Sequence, residues 1–376
     1  MRLAALVLLC CLGLTACAGP GKAPNLMATE PPRGLVTQLA RTDPPALNRA
    51  IAASLVHVRA QNPMARPFAG VPECTWADLR ATLEHLRDIS PRLQTDPDVL
   101  TRDFTWREVQ PEPLVTGYYE PEIEASLVPD PAYPVPIFGL PKGLKSADLG
   151  AFHPRWAGQT LFYRIEGSAI APFYSRAEID SAGALDATDA PIAWTKSRVD
   201  VFFLQVQGSG RLRLPDGTVR HILYAGKNGW DYVSLGKVMI ERGLIARQDM
   251  SMQRLRAYLY AHPDEAQNLM NTNPSYVFFR LADFGPLGSM GQTLTPMVSL
   301  ATDSAFLPLG TVLAMELDLP RPRGASERTA LLGLPQDRGG AIKGSRLDLF
   351  CGAGLDAEFL AGHLQNHGRV FLLLKK

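Results

Sequence analysis

Proline and glycine set the grain of this chain. They make up 31 and 32 of its 376 residues, and from Leu114 onward they cut it into apolar runs of only a few residues each. Proline has no amide hydrogen to give a helix or a central strand, and glycine readily takes the positive φ that tight turns need. Short runs rich in Val, Ile, Phe and Tyr between such residues read as strands, and many in succession as an all-β barrel. The clearest hairpin is expected from a strand over 201–207, its continuation over 211–214, the turn Pro215-Asp216-Gly217 and a return strand over 219–224. Further strands are expected at 276–280, 297–301, 312–317, 329–334 and 370–374. Between them, helices are expected over 233–242, ended by Gly243, and over 252–261, stopped by Pro263.

Ahead of Leu114 the pattern changes. Leu47, Ile51, Leu55 and Val58 recur at helical spacing, as do Leu79, Leu83 and Leu86, so helices are expected over 46–60 and 76–89. The first residues read differently again. Arg2 precedes an apolar run over 3–14 that is about half of what a membrane span requires, which is the form of a signal peptide. Leu14-Thr15-Ala16-Cys17 has the form of a lipobox, so residues 1–17 are expected to be a lipoprotein signal with Cys17 acylated. Ala18 after that Cys favours the outer membrane over the inner one, and the lipid on Cys17 would be the anchor. Residues 18–36 read as a flexible tether. The remaining body is long enough that two domains are expected.

The formal net charge is +1. Without a basic cluster interleaved with aromatics, nucleic acid is not an expected partner. The seven His are scattered without metal-ligand spacing, and neither a metal nor a cofactor is expected. Cys74 and Cys351 either pair in an oxidising compartment or stay as two buried thiols. Residues 352–357 match a GxGxxA dinucleotide fingerprint, but the chain ends before a βαβ unit could follow, so a tight strand-to-helix turn is expected there.

Chemistry concentrates in three aspartates. Asp303 follows a strand, Asp337 precedes Gly339-Gly340-Ala341-Ile342-Lys343, and Asp348 lies between Leu347 and Leu349. Strands disfavour Asp, and burial raises a carboxyl pKa toward what a general acid needs, so Asp348 reads as that acid. Asp337 and Asp303 read as supporting residues, with turn capping the stronger reading for Asp303. A second group is Thr116-Gly117-Tyr118-Tyr119, either a sugar-stacking wall or a core strand with tyrosines on alternate faces. Gln205, Gln207 and Ser209 form a polar row on the expected hairpin, either a groove lining or a solvent-facing edge. Thr116, Gly117, Tyr118, Gln205, Gln207, Ser209 and Lys343 are the candidate substrate contacts. Trp194, Trp230 and Tyr276 read as core.

The segments VTGYYEP, YSRAEID, VFFLQVQGSGRLRLPDG, YAGKNGWDYVSLGKVMIERG, NPSYVFFR, GPLGSMGQTLTPMVSLATDSAFLPLG and QDRGGAIKGSRLDLFCGAG, in that order, resemble the membrane-bound lytic murein transglycosylase A family. The resemblance implies a mainly β fold with N-terminal helices. In it a double-psi β-barrel (37–124 plus 283–376) carries the catalytic Asp, and an inserted β-domain (125–282) forms the other wall of a glycan groove. It maps the three named aspartates of a C-terminal module onto Asp303, Asp337 and Asp348, with Asp348 as acid. It further implies cleavage of the bond between N-acetylmuramic acid and N-acetylglucosamine in peptidoglycan with formation of a 1,6-anhydro end, as a lyase needing no cofactor. Glycan strands, the outer membrane and a cell-wall synthase complex are the implied partners. The alternatives are a non-catalytic wall-binding lipoprotein and a lysozyme-like hydrolase.

Overall fold

The computed structural model describes residues 24–32, 34–68, 71, 73–156, 159–188 and 190–376. The lipobox at Cys17 lies outside them. The chain begins with β1 (Asn25–Thr29) and helices α1 (Leu35–Leu39), α2 (Pro44–Arg59), α3 (Trp76–Ile89) and α4 (Val99–Asp103). The expected tether over 18–36 is therefore corrected from Asn25 onward; residues 18–23 lie outside the described residues. Residues 25–29 pair antiparallel along β2 (Phe104–Gln110), and only Leu26 among them is buried. A strand held by its backbone ladder and one inward side chain leaves almost no hydrophobic pattern to read.

The two longer helices form where periodicity placed them. Asp43 caps α2 by accepting from the Ala46 amide at 3.0 Å, with Pro44 in the first turn where its missing donor costs nothing. Thr75 and Asp78 make a reciprocal capping box at the start of α3. Their apolar stripes, Leu47, Ile51, Leu55 and Val58 on α2 and Leu79, Leu83 and Leu86 on α3, join the core of the larger sheet.

After β2 come β3 (Leu114–Glu120), β4 (Glu122–Ser126), β5 (Val135–Phe138), β6 (Lys145–Asp148), β7 (Thr160–Glu166) and β8 (Ala169–Pro172). Next are α5 (Arg176–Asp180), β9 (Pro191–Thr195), α6 (Arg198–Gln207), β10 (Ser209–Arg213) and β11 (Val219–Lys227). Helices α7 (Leu235–Glu241), α8 (Met252–Ala261) and α9 (Pro263–Met270) lead to β12 (Val277–Ala282). The C-terminal part holds β13 (Ser299–Thr302), β14 (Val312–Leu319), β15 (Glu327–Asp337), β16 (Arg346–Ala353), α10 (Leu355–His363), β17 (Gln365–His367) and β18 (Arg369–Lys375).

The fold is mainly β with helices around it. Among the described residues the largest sheet runs β1-β2-β18-β14-β15-β13-β16-β3-β17. A second runs β12-β11-β10-β4-β9-β5, and β6-β7-β8 form a small third sheet. The strand order of the largest sheet is open at both ends, from β1 to β17, and no closed barrel is found in it. Within it β13 lies between β15, to which it is parallel, and β16, to which it is antiparallel.

One expected strand is a helix. Residues 201–207 belong to α6, which Ser197 caps at its start through the Val199 amide and Gly208 ends at φ +80°. The helix is wedged between two apolar clusters, Val199, Phe202 and Phe203 facing one and Val201 and Leu204 the other. Burial on opposite sides erases the one-faced helical pattern, and the β-branched and aromatic residues then mimic a strand. The hairpin itself is β10 and β11 around the Pro215-Asp216-Gly217 turn, where Gly217 takes φ +83°. Pro263 opens α9 rather than merely ending α8. Tyr276 is buried in the core, as expected, whereas Trp230 is 38% exposed.

Candidate functional site

Strand periodicity builds the site. Along β16, Leu347 and Leu349 are fully buried in the core of the large sheet, so their neighbours Arg346 and Asp348 project from the opposite face. The parallel register with β3 sets Thr116 beside Asp348. The Thr116 hydroxyl donates to Asp348 Oδ1 at 2.6 Å, and Arg346 donates from Nε and Nη2 to Thr116 Oγ1 at 3.4 and 3.3 Å. Asp348 keeps a solvent-accessible edge, but it is recessed enough that burial pushes its carboxyl up to about 6. The Thr116 hydrogen bond and the Arg346 charge pull the other way, and the Asp337 charge adds slightly to the rise.

Asp337 enters from the neighbouring side of the sheet. Ala301 of β13 pairs with both Asp337 and Asp348, so the two acids flank one small residue. Asp337 is hydrogen-bonded through both oxygens. Its Oδ1 accepts from the Ser289 and Arg338 amides, each at 2.8 Å, and its Oδ2 accepts from the Tyr118 hydroxyl at 3.1 Å. Burial raises the Asp337 carboxyl and these hydrogen bonds lower it, with burial the stronger. Burial also drives the Tyr118 phenol well above its usual range, assisted by Asp337 and Asp348, so Tyr118 stays a neutral donor. Its ring lies against Phe350 at 5.3 Å between centroids.

Asp303 is a turn residue. It accepts from the Ala305 amide at 3.1 Å and from the Gly344 amide at 2.9 Å, the second tying down the loop that leads into β16. Lys343, one residue earlier in that loop, is exposed.

The other expected contacts fare differently. A side chain at Gly117 would meet Ala361 Cα at 2.9 Å and Cys351 Sγ at 3.0 Å, so glycine is needed there for β3 to pack on α10. Gln205 and Gln207 are not the exposed row of a strand. Both lie buried on α6: Gln207 Oε1 accepts from the Tyr119 amide at 3.0 Å, and Gln205 Nε2 donates to the Val277 carbonyl at 3.3 Å. Their amides satisfy backbone groups between elements, and that internal role replaces the expected groove contact. Ser209 opens β10 and is half-buried. Tyr119 is buried with its hydroxyl between Arg256 and Glu358, which form a 2.8 Å ion pair joining α8 to α10. Cys74 and Cys351 are both free and buried, so of the two readings the buried thiols hold. The GxGxxA segment is the expected turn, with Gly352 and Gly354 at φ +98° and +91° between β16 and α10.

Two participants escaped the sequence reading. Arg346 stands two residues before Asp348 and therefore on its face of the strand, a signal the alternation carries. Ser289 contributes only a backbone amide, and nothing in its side chain announces it.

Residues 114–280 match the family described as the MltA specific insert domain, and residues 298–374 match the 3D domain. The chain is 37% identical over 268 residues to the membrane-bound lytic murein transglycosylase A of Vibrio cholerae, covering 69% of this chain. That match spans 65% of the length of the relative. Among solved structures, the chain is similar to a membrane-bound lytic murein transglycosylase from Agrobacterium tumefaciens, at 31% identity and a TM-score of 0.79, covering 93% of this chain and 98% of that one. It is also similar to E. coli MltA with bound chitohexaose, at 27% identity and a TM-score of 0.68, covering 94% and 95% of the two chains.

Proposed function

Because the chain belongs to the membrane-bound lytic murein transglycosylase A family, we propose that it cleaves peptidoglycan glycan strands by lytic transglycosylation, with Asp348 as both acid and base. The observation that carries this reading is the contrast between the two neighbouring acids. Asp348 is held up to about 6 with one oxygen free of hydrogen bonds among the described residues, while Asp337 is bonded through both oxygens. Ordinary glycosidases divide the work between two carboxyl groups. Here a single one is poised for proton transfer.

In the proposed reaction protonated Asp348 gives its proton to the glycosidic oxygen as the bond from C1 of N-acetylmuramic acid to that oxygen breaks. The C6 hydroxyl of the same sugar then attacks C1 and returns its proton to the Asp348 carboxylate. No water is consumed, and the product carries a 1,6-anhydro ring. The attack is intramolecular, which replaces the activated water of a hydrolase with proximity. The Tyr118–Asp337 pair would shape the wall beside the acid, and Thr116, Tyr118, Lys343 and Ser209 remain the proposed glycan contacts. The chitohexaose bound to the E. coli relative supports a sugar oligomer as the ligand.

In this reading residues 37–124 plus 283–376 form a catalytic domain of double-psi barrel type and 125–282 the opposite wall of the groove. The insertion of β13 between β15 and β16 supports it, as does the Asn366 amide donating to the Asp318 carbonyl at 2.6 Å, which draws the sheet edge β17 toward β14. We further propose that a lipid on Cys17 holds the protein at the periplasmic face of the outer membrane, within reach of a synthase complex. Cys17→Ser should leave the protein unacylated, with its signal uncleaved, and displaced from the outer-membrane fraction of a cell lysate; a Cys17→Ser protein that is processed and fractionates as the native one does would remove the anchor.

The functional reading is tested by incubating purified sacculi with the protein. Release of soluble glycan fragments is expected. Co-sedimentation without release would instead support a wall-binding protein.

A further inference from the structure

The Arg346 guanidinium plays no part in the reaction as written above, yet it sits against the acid's own hydrogen-bond partner. Arg346 and Asp348 share a face of β16, and the Arg346 fork reaches across to Thr116 on β3. A guanidinium only donates, so Thr116 Oγ1 must accept from it. The single hydroxyl proton of Thr116 is thereby turned away from the positive charge. Two acceptors are within reach, the Leu347 carbonyl at 3.4 Å and Asp348 Oδ1 at 2.6 Å. The nearer one carries the carboxyl charge.

We propose that Arg346 is the positioning residue of the acid: by fixing Thr116 as donor to Asp348 Oδ1, it leaves Oδ2 as the oxygen that delivers and recovers the catalytic proton. The inference rests on Asp348 being the acid. It explains how one carboxyl can serve both half-reactions. While protonated, Asp348 presents a defined oxygen to the glycosidic bond. Once the proton has gone, the Thr116 hydroxyl and the Arg346 charge steady the carboxylate until the C6 hydroxyl returns one. Arg346 faces the acid from its own strand, while Tyr118 from β3, Asp337 from β15 and Cys351 from β16 also feel the Asp348 charge. Of these, Arg346 alone is a cation. The same guanidinium is felt by Tyr232, which follows β11 and is 41% exposed.

Two variants separate charge from orientation. The readouts are the Asp348 carboxyl titration by NMR, thermal melting, and release of glycan fragments against pH. Arg346→Met should raise the titration midpoint of Asp348 by about half a unit to one unit, because the charged form loses its cation. It should also lower release at pH 5 by about tenfold, because the acid loses its fixed orientation. Arg346→Lys should keep the midpoint near that of the native protein but lose rate, since an ammonium carries the charge without the planar fork. A folded Arg346→Met that titrates and turns over as the native protein does would overturn the proposal, as would an Arg346→Lys indistinguishable from native in rate. Should the Met variant fail to fold, the Lys variant still decides the orientation claim. If instead Asp348→Asn retained turnover, the acid assignment would fall, which is a different result from either of these.

Discussion

Asp348→Asn should leave the protein folded and able to sediment with sacculi while lowering fragment release by about 10²- to 10⁴-fold. The loss should be at the large end because Asp337 is tied down by three hydrogen bonds accepted through its two oxygens. The same variant should be more stable than the native protein at neutral pH. The Asp348 carboxyl titrates at about 6 in the fold against 3.8 for an ordinary aspartate. The folded state therefore holds the proton more tightly, and its contribution to stability is fully present below about pH 4 and lost as pH rises through about 6. Above that, an ionised Asp348 destabilises the fold by at most about 3 kcal/mol, and by nearer 1 given its solvent-accessible edge, and asparagine removes that cost. Thermal melting at pH 5 and pH 8 checks the sign. A variant that loses stability at pH 8 as well as activity would mean that Asp348 is structural.

Fragment release should fall with rising pH. The protonated acid is the donor, so above its midpoint the active fraction should drop about tenfold per pH unit, leaving about one hundredth of the acid-side rate at pH 8. Tyr118 should not add a second falling limb in this range, because the phenol stays neutral. Initial rates on sacculi across pH 4 to 9, at fixed ionic strength, give the profile. A rate that climbs through neutrality would require a base as the limiting group and would contradict the assignment.

The parts of this site that were legible are those written at short range. The alternation Leu347-Asp348-Leu349 put a carboxyl on the non-core face of a strand, and the same rule, carried two residues back, reaches Arg346. Helices α2 and α3 showed their apolar stripes and caps, and Pro215-Asp216-Gly217 showed its turn. What could not be read depends on pairing between distant residues. Tyr118 meets Asp337 across 219 positions, and nothing local in either segment announces that hydrogen bond. Helix α6 misled because it is buried against two clusters at once, which removed the polar face by which a helix is recognised and recast Gln205 and Gln207 as an edge row. Its caps, Ser197 and Gly208, were the available signal. Strand β1 was hidden for a different reason: it is short, and its Leu26-Met27-Ala28 run turns only Leu26 inward, so no alternation shows.

In the proposed reaction one carboxyl cleaves the glycan without water, and the oxygen atom at the new end reports it directly. Sacculi digested in water enriched in heavy oxygen, with the released fragments weighed by mass spectrometry, should give ends lighter than reducing ends by one water and free of the label. Reducing ends that carry the heavy oxygen would show a water nucleophile, and the single-acid mechanism built on Asp348 would be wrong.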